Sequence, residues 1–342
     1  MSTLTHTPIG ANPAGYDGPN RSLVLSGGGI RVSYQAGAVR ALLESGLSFS
    51  HVDATSGGSI NLAMMLSGLS SDEICERWRT LNVTKSISLM PLLDYVRIRD
   101  RVALGDGDGF RDRVFPHLGI DMDRVRAAAG MDGTFNVLNY SRKVNEVIRH
   151  QDMDMDMLVA GLSLPMFLPP ISKGGSLYLD SAFVRDANLM EAVRRGAEEL
   201  WVIWCLGNTS VYRGGMLNLY IQMLEMSACG ALHQEFELIN DVNRDIAEGR
   251  SRYGQQGPIK LHFIKPETPL PLDPELFMGR IDSATLIEMG YSDAQKYLSD
   301  MSDEGVPLTP ETTHMLDAPS RDFQLPTRSA LRRMWDALRF WR

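Results

Sequence analysis

Residues 54–58 read Ala-Thr-Ser-Gly-Gly and place a serine hydroxyl among small neighbours. Residues 49–55 alternate between apolar and polar side chains, which predicts a strand, and residues 60–69 have helical spacing. Ser56 is therefore predicted at a strand-to-helix turn, where its hydroxyl stands clear of the backbone and its amide joins a helix N-terminus. Such a turn is typical of the nucleophile elbow of a hydrolase, although small-x-Ser-x-Gly runs also form ordinary turns and helix caps. The residues of the predicted elbow around Ser56 are Ala54, Gly57 and Gly58.

Three consecutive glycines, Gly27, Gly28 and Gly29, follow a buried strand predicted over residues 21–26 and precede a helix predicted over residues 33–44. A strand, glycine loop and helix in this order gather backbone N–H groups that can hold a negative oxygen. A dinucleotide-binding loop is an alternative. Its G-x-G-x-x-G spacing is missing, however, and only Asp53 is available as the acidic residue that would bind a ribose.

A carboxylate stands at the end of another predicted strand, residues 176–179, where Asp180 is followed by the small residues Ser181 and Ala182. None of the seven histidines lies in a recognisable triad context. Asp106 and Asp108 suggest a calcium loop, but His117 occupies the position at which such a loop requires a bidentate Glu. We therefore predict no metal site and no cofactor.

The 342-residue chain is long enough for one large α/β domain. Its formal net charge of −8 argues against broad nucleic-acid binding. Three scattered cysteines indicate reduced thiols rather than a disulfide framework. The N-terminal residues form no secretory signal and no apolar run is long enough to span a membrane, so a cytoplasmic protein is expected. Export by a route that uses no N-terminal signal stays open.

The chain divides into four predicted segments. Residues 1–20 are expected to be a disordered leader, and residues 21–300 the main domain, with residues 70–132 as an insertion over the sheet or a lid. Residues 301–328 are rich in proline and polar side chains and are expected to be a linker. Residues 329–342 form a predicted basic amphipathic helix, suited either to an anionic lipid surface or to docking on its own domain or a second subunit.

Three ordered motifs resemble those of the patatin-like phospholipases. Residues 27–31 (Gly-Gly-Gly-Ile-Arg) resemble the family's G-G-G-x-R, residues 54–58 its G-x-S-x-G, and residues 180–182 (Asp-Ser-Ala) its D-G-G or D-G-A. Weaker similarities lie in residues 163–170, which end in Phe-Leu-Pro-Pro, and in residues 289–291 (Met-Gly-Tyr). The resemblance covers about residues 21–298. It departs from the family at Ala54 and Ser181, each of which replaces a glycine.

The resemblance implies a catalytic dyad without histidine. Ser56 would attack an ester carbonyl and Asp180 would accept its proton. The oxyanion hole would comprise Gly27, Gly28, Gly29 and Arg31, with Arg31 steadying the loop or binding a nearby phosphate.

We accordingly predict a three-layer α/β/α sandwich with a mainly parallel central sheet, which cleaves carboxyl esters of phospholipids or lysophospholipids through an acyl-serine intermediate. The expected partner is a lipid substrate, with peripheral membrane association through residues 329–342. No nucleic-acid partner is expected, and the oligomeric state is left open. The alternatives are an acyltransferase or thioesterase on the same fold, and a catalytically weak lipid-binding or scaffold protein.

Overall fold

A computed structural model of the chain describes residues 5–81, 103, 107–212, 214–270 and 282–316. Eight strands of this part of the chain form one sheet. They are β1 (Arg21–Leu25), β2 (His51–Thr55), β3 (Asp132–Asn139), β4 (Val144–Arg149), β5 (Ile171–Lys173), β6 (Ser176–Asp180), β7 (Glu199–Ile203) and β8 (Lys260–Ile264).

The sheet is parallel on one side and antiparallel on the other. Its strand order is β5-β6-β3-β2-β1-β7-β8, and β4 pairs with β3. The pairs of β1 with β2 and β7, of β2 with β3, and of β7 with β8 are parallel. Strands β3 and β4 form an antiparallel hairpin, and β6 also runs antiparallel to β3. The prediction of a mainly parallel α/β sheet is therefore confirmed.

Helices flank both faces of the sheet. They are α1 (Ser33–Glu44), α2 (Gly58–Leu66), α3 (Ser71–Thr80), α4 (Phe115–Leu118), α5 (Met122–Ala127), α6 (Met155–Gly161), α7 (Leu189–Arg194), α8 (Met216–Ala247) and α9 (Ser283–Asp300). Short 3-10 segments occur at Gly29–Val32, His150–Asp152 and Pro310–Thr313, and a π-helical turn at Phe110–Val114. Helix α8 is one continuous helix of 32 residues.

Alternation along the central strands produces the two cores of a three-layer sandwich. Leu23 and Leu25 of β1 belong to the hydrophobic cluster that also contains α1 and α2, whereas Val24 belongs to the cluster with α7 and α8. The side chains of the neighbouring strand β7 alternate between the same two clusters. Because successive side chains of a strand point to opposite faces, a strand that is apolar throughout must be covered on both sides.

The first described residues differ from the expected disordered leader. The Phe49 N–H donates to the Gly10 carbonyl oxygen at 2.7 Å, and the His6 ring bonds to the Leu66 carbonyl oxygen at 2.9 Å. Ile9 packs on the core that contains α1. Residues 5–20 therefore lie along the domain, held by backbone hydrogen bonds that their polar composition does not reveal.

Part of the predicted insertion or lid, residues 82–102 and 104–106, lies outside the described residues. Its described part includes α3, whose first turn is closed by a capping box between Ser70 and Glu73. The predicted C-terminal helix, residues 329–342, lies entirely outside the described residues, and so do residues 317–328 of the predicted linker. In the described ranges we find no helix that is long and apolar enough to cross a membrane.

Candidate active site

The ends of β2 and β6 meet beside β3. Residues 134–136 of β3 pair with both β2 and β4, so β2 and β4 lie on opposite edges of β3. Residues 137–139 pair with β4 and with β6, so β6 occupies the same edge as β2. Thr55 lies opposite Asn136 and Asp180 lies opposite Val137. The residue after β2 therefore faces the last residue of β6, although 124 residues separate them.

Ser56 and Asp180 are in direct contact at this junction. The Ser56 Oγ donates a hydrogen bond to the Asp180 Oδ2 at 2.6 Å. Ser56 has a φ of 51°, in the left-handed region that costs energy for a residue with a side chain and that occurs at functional sites. Both side chains are buried. The structure thus brings together the two residues that the sequence proposes as nucleophile and base.

Burial raises the pKa of Asp180 to about 7, although hydrogen bonds from the Ser56 hydroxyl and the Ala182 N–H oppose the shift. A charged carboxylate is unfavourable in a medium of low dielectric constant, which is why burial favours the protonated form. A proton acceptor works best when its pKa is close to the working pH. Asp180 can therefore exchange a proton near neutral pH without a histidine.

The glycine loop lies directly against this pair. Gly29 has a φ of 61°, which favours glycine at this position. The buried Arg31 fastens the loop from within, because its Nε donates to the Gly28 carbonyl oxygen at 3.0 Å. The Gly27 N–H donates to the Asp186 Oδ2 at 3.1 Å and is therefore directed at the protein rather than at a ligand. Gly28 and Gly29 contribute the other two N–H groups of the loop.

The elbow glycines are required by close backbone approach. A Cβ on Gly57 would lie 2.4 Å from the Gly29 carbonyl oxygen, and a Cβ on Gly58 would lie 2.4 Å from that of Leu25. The turn after β2 thus packs on the end of β1 and on the glycine loop. Ala54, which replaces the first glycine of the motif, is a fully buried residue of β2.

A chain of buried polar side chains runs beneath the site. The side-chain amide of Asn136 donates to the Asp53 Oδ1 at 2.6 Å. The Asn136 Oδ1 accepts a hydrogen bond from the side-chain amide of Asn145 at 2.8 Å. The Ser181 hydroxyl donates to the Asn145 Oδ1 at 2.6 Å. A second donor, the Thr134 hydroxyl, binds Asp53 at 2.6 Å. The strand before Ser56 and the residue after Asp180 are therefore connected by side-chain hydrogen bonds.

An apolar mouth borders the pair. The ring of Tyr220, on α8, lies edge-on to Phe167 and Phe183, with centroids 5.7 and 5.8 Å away. Burial raises the pKa of Tyr220, and the nearby charge of Asp180 adds to this shift. We call this aromatic group the apolar rim, together with the exposed apolar residues that adjoin its phenylalanines in sequence or lie on α8 with Tyr220. Its exposed members are Met166, Val184, Met216, Met223 and Met226.

Three residues at the site were not singled out from the sequence: Asp186, Asn136 and Asn145. Asp186 follows Asp180 by six residues without forming a motif of its own. Asn136 could have been noticed from the sequence, because it lies between the apolar residues Phe135 and Val137 of a strand and a polar side chain buried there must be hydrogen-bonded. In the part of the chain that the structure covers, no three His, Cys, Asp or Glu side chains are grouped to hold a metal ion.

The fold and the site define a class of protein: an α/β sandwich with a serine at a strand-to-helix turn beside a buried carboxyl group. A family model described as patatin-like phospholipase matches residues 23–193, half of the chain. The chain belongs to the patatin-like phospholipase family. Membership of this family indicates a lipid acyl hydrolase.

Two solved structures show a distant similarity. VipD from Legionella pneumophila is 12% identical with a TM-score of 0.45, and the match covers 87% of this chain and 72% of VipD. The type III effector protein ExoU is also 12% identical, with a TM-score of 0.34, and the match covers 82% of this chain and 53% of ExoU. At these values neither similarity supports an argument about function. No curated protein matches the chain.

Proposed function

We propose that the protein is a phospholipase A-type esterase, which cleaves carboxyl esters of phospholipids or lysophospholipids with Ser56 as nucleophile and Asp180 as base. The observation that carries the proposal is the 2.6 Å hydrogen bond from the Ser56 hydroxyl to a buried carboxyl group whose pKa is raised to about 7. A serine hydroxyl is a weak nucleophile until a base takes its proton. Asp180 is placed to take it directly.

The reaction proceeds in two halves. The Ser56 Oγ bonds to the ester carbonyl carbon while its proton moves to Asp180. The negative oxygen of the tetrahedral intermediate is stabilised by backbone N–H groups at Gly28 and Gly29. As the bond to the alcohol breaks, Asp180 returns the proton to the leaving oxygen. Water then attacks the acyl-Ser56 ester and gives a proton to Asp180. The bond between the acyl carbon and the Ser56 Oγ breaks as Asp180 returns that proton to the Oγ, and the fatty acid leaves.

The apolar rim supports a lipid substrate. Half-buried aromatic side chains near Asp180, together with the exposed methionines, present a surface that an acyl chain can contact in place of water. The Tyr220 hydroxyl donates to the Pro165 carbonyl oxygen at 2.6 Å, which satisfies the polar end of that ring. The remainder of the ring is thus available for apolar contact.

The test is fatty-acid release from mixed phospholipid vesicles by the wild type, Ser56→Ala and Asp180→Asn. We expect both substitutions to lower the rate at least about a thousandfold, as loss of a catalytic nucleophile does in serine hydrolases. Ser59→Ala is the matched control, because Ser59 is a buried serine on α2 with no hydrogen bond from its hydroxyl.

The outcomes separate the alternatives. Unchanged activity in Ser56→Ala would contradict the assignment of the nucleophile. Wild-type protein that produces new esters when an alcohol is added, in place of free fatty acid, would be an acyltransferase on the same site. Release from thioesters but not from oxygen esters would identify a thioesterase. A wild type inactive on every lipid tested would favour a lipid-binding or scaffold protein.

A further inference from the structure

Asp186 is a buried acidic residue for which the proposed mechanism has no use. It is 1% exposed, and its Oδ2 accepts the Gly27 N–H at 3.1 Å. Its second oxygen, Oδ1, is buried and has no hydrogen-bond partner. A carboxyl group with one oxygen unsatisfied in a protein interior is costly and calls for a structural or functional reason.

The position of Oδ1 connects Asp186 with the nucleophile. A Cβ built on Gly27 would lie 2.2 Å from the Asp186 Oδ1 and 3.0 Å from the Ser56 Cβ. The carboxyl group therefore fills the space that a side chain at residue 27 would occupy. Gly27 is thereby held between the carboxyl group and the elbow.

We propose that Asp186 is a positioning residue, which fixes the Gly27 end of the glycine loop against Ser56 and so orients the loop's remaining N–H groups. The inference rests on the proposed function, because the loop acts on the oxyanion only if Ser56 attacks an ester. Asp186 touches the loop and not the substrate. Its effect therefore passes through the backbone of residues 27–29.

The groups around Asp186 shift the pKa of its carboxyl group. Burial raises its pKa, the nearby Asp180 raises it further, and the Gly27 N–H and the Arg31 guanidinium oppose the shift. The other titratable groups that face it are the thiols of Cys205 and Cys229, whose pKa values burial raises. Two adjacent buried carboxyl groups do not both ionise readily. Burial and the neighbouring Asp180 therefore both favour the protonated form of Asp186.

This form can be imitated by substitution. The amide of Asp186→Asn is neutral and has the same shape as the protonated acid, and its carbonyl oxygen can accept the Gly27 N–H. Asp186→Ala removes the acceptor and leaves that N–H unpaired. Measured with a soluble p-nitrophenyl ester, Asp186→Ala should lower kcat about a hundredfold, the usual effect of losing an oxyanion donor, with KM within about twofold. Asp186→Asn should retain kcat within about threefold of the wild type.

A second readout does not depend on activity. Hydrogen–deuterium exchange of the peptide containing residues 26–29 should be faster in Asp186→Ala and unchanged in Asp186→Asn, since only the former frees the Gly27 N–H. Glu235→Gln is the matched control. Glu235 is also a buried carboxyl group, but it binds the Met190 N–H at 3.1 Å rather than the loop, so kcat and exchange at residues 26–29 should not change.

Three results would overturn the inference: wild-type kcat and exchange in Asp186→Ala, a kcat of Asp186→Asn as low as that of Asp186→Ala, or equal exchange in all variants. If Asp186→Ala does not fold, Asp186→Ser replaces it, because the shorter side chain cannot reach Gly27. A wild type without esterase activity would contradict the proposed function. The exchange measurement would still decide whether Asp186 holds the loop.

Discussion

At the scale of single residues, the proposed mechanism depends on a buried carboxyl group that must lose its proton to become a base. This group is Asp180. Among the described residues, Ser56 is the only one whose side chain donates a hydrogen bond to it. Without a cationic partner, the carboxylate keeps the high proton affinity that burial produces. The same burial that makes Asp180 costly to ionise makes it an effective acceptor near neutral pH.

This proton affinity predicts the pH dependence of the reaction. Because the proposed base must be ionised, kcat/KM for a soluble ester should rise tenfold per pH unit below about pH 7 and level off above it. An unperturbed aspartate, with a pKa near 3.9, would instead leave the rate constant from about pH 5 upwards. Initial rates between pH 4.5 and 9 measure the difference. A plateau that already begins at pH 5 would contradict the role of burial.

At the scale of elements, Asn136 connects three strands and a loop. Its amide also donates to the Ala54 carbonyl oxygen at 3.1 Å, on the strand that leads into the elbow. Through Asn145 it reaches Ser181, and the Asn188 side-chain amide, at the start of α7, donates to the Asn136 Oδ1 at 2.8 Å. This network explains the departure from the family's glycine after the aspartate. The Ser181 hydroxyl has a hydrogen-bond partner in the half-buried Asn145, which a glycine would lack.

Removing the centre of this network should affect both stability and rate. Asn136→Ala leaves the buried Asp53 with one donor fewer, which we expect to lower the free energy of unfolding by about 3 kcal/mol. Displacement of the loop after Asp180 should slow ester hydrolysis by about ten- to a hundredfold. Chemical denaturation and initial rates measure the two effects.

The matched control for this prediction is Asn139→Ala. Asn139 is a buried asparagine of the same strand, but it bonds to Glu146 and to the Arg142 N–H at the hairpin end. Its replacement should change stability and leave the rate within about twofold of the wild type. An Asn136→Ala enzyme with the wild-type rate would show that the network does not position the loop.

A second relation between elements joins α1 and α9, at the glycine of the Met-Gly-Tyr motif. A Cβ on Gly290 would lie 1.9 Å from the Tyr34 carbonyl oxygen, and a Cβ on Gly37 would lie 1.9 Å from that of Ile287. The two helices therefore cross with their backbones in contact. Since α1 begins directly after the glycine loop, this crossing supports the loop from behind.

The crossing predicts opposite effects for two Gly→Ala substitutions. Gly290→Ala should lower the free energy of unfolding by about 3 kcal/mol, because a methyl group would meet backbone atoms that cannot rotate away. Gly230→Ala, in the exposed middle of α8 with no atom within 4 Å of the added Cβ, should raise it by up to about 1 kcal/mol. The midpoints of chemical denaturation measure both effects. Equal midpoints for the two variants would refute the backbone contact.

At the scale of the whole molecule, the apolar rim and the C-terminal segment both concern a predicted association with a lipid surface. Residues 329–342 place Leu331, Trp335 and Leu338 on one face of a predicted helix. Arginines line much of the rest, which suits an anionic interface. The described residues do not include this segment, so its role stays a prediction, as does a cytoplasmic location.

Deleting residues 329–342 should therefore lower binding to anionic vesicles and leave the turnover of a soluble ester unchanged, because the segment is proposed to act on the surface and not in the site. Vesicle co-sedimentation at low and high salt measures the binding, and salt should weaken that of the full chain. Vesicle binding that is unaffected by the deletion would remove the hypothesis. A loss of soluble-ester turnover would instead indicate that the helix docks on its own domain.

The local structure around the site was largely predictable. The helix expected over residues 33–44 is α1, and the strands expected over residues 21–26 and 176–179 are β1 and β6, each displaced by one residue at one end. The strand expected over residues 49–55 begins two residues later, at His51. Apolar periodicity and glycine spacing act within ten residues of chain, so they can be read directly from the sequence.

What the sequence determined by itself is the set of chemical groups and their local settings: a serine on a turn, a triple-glycine loop and an aspartate at a strand end. Only the tertiary structure decided that these settings meet, because β2 and β6 share one edge of β3 and bring Ser56 to Asp180. The pKa of Asp180 depends on burial by residues distant in sequence. The hydrogen bond from the Gly27 N–H to Asp186 likewise joins two residues that are far apart in the chain. Strand pairing and burial are sums over the whole fold, and no local pattern contains them.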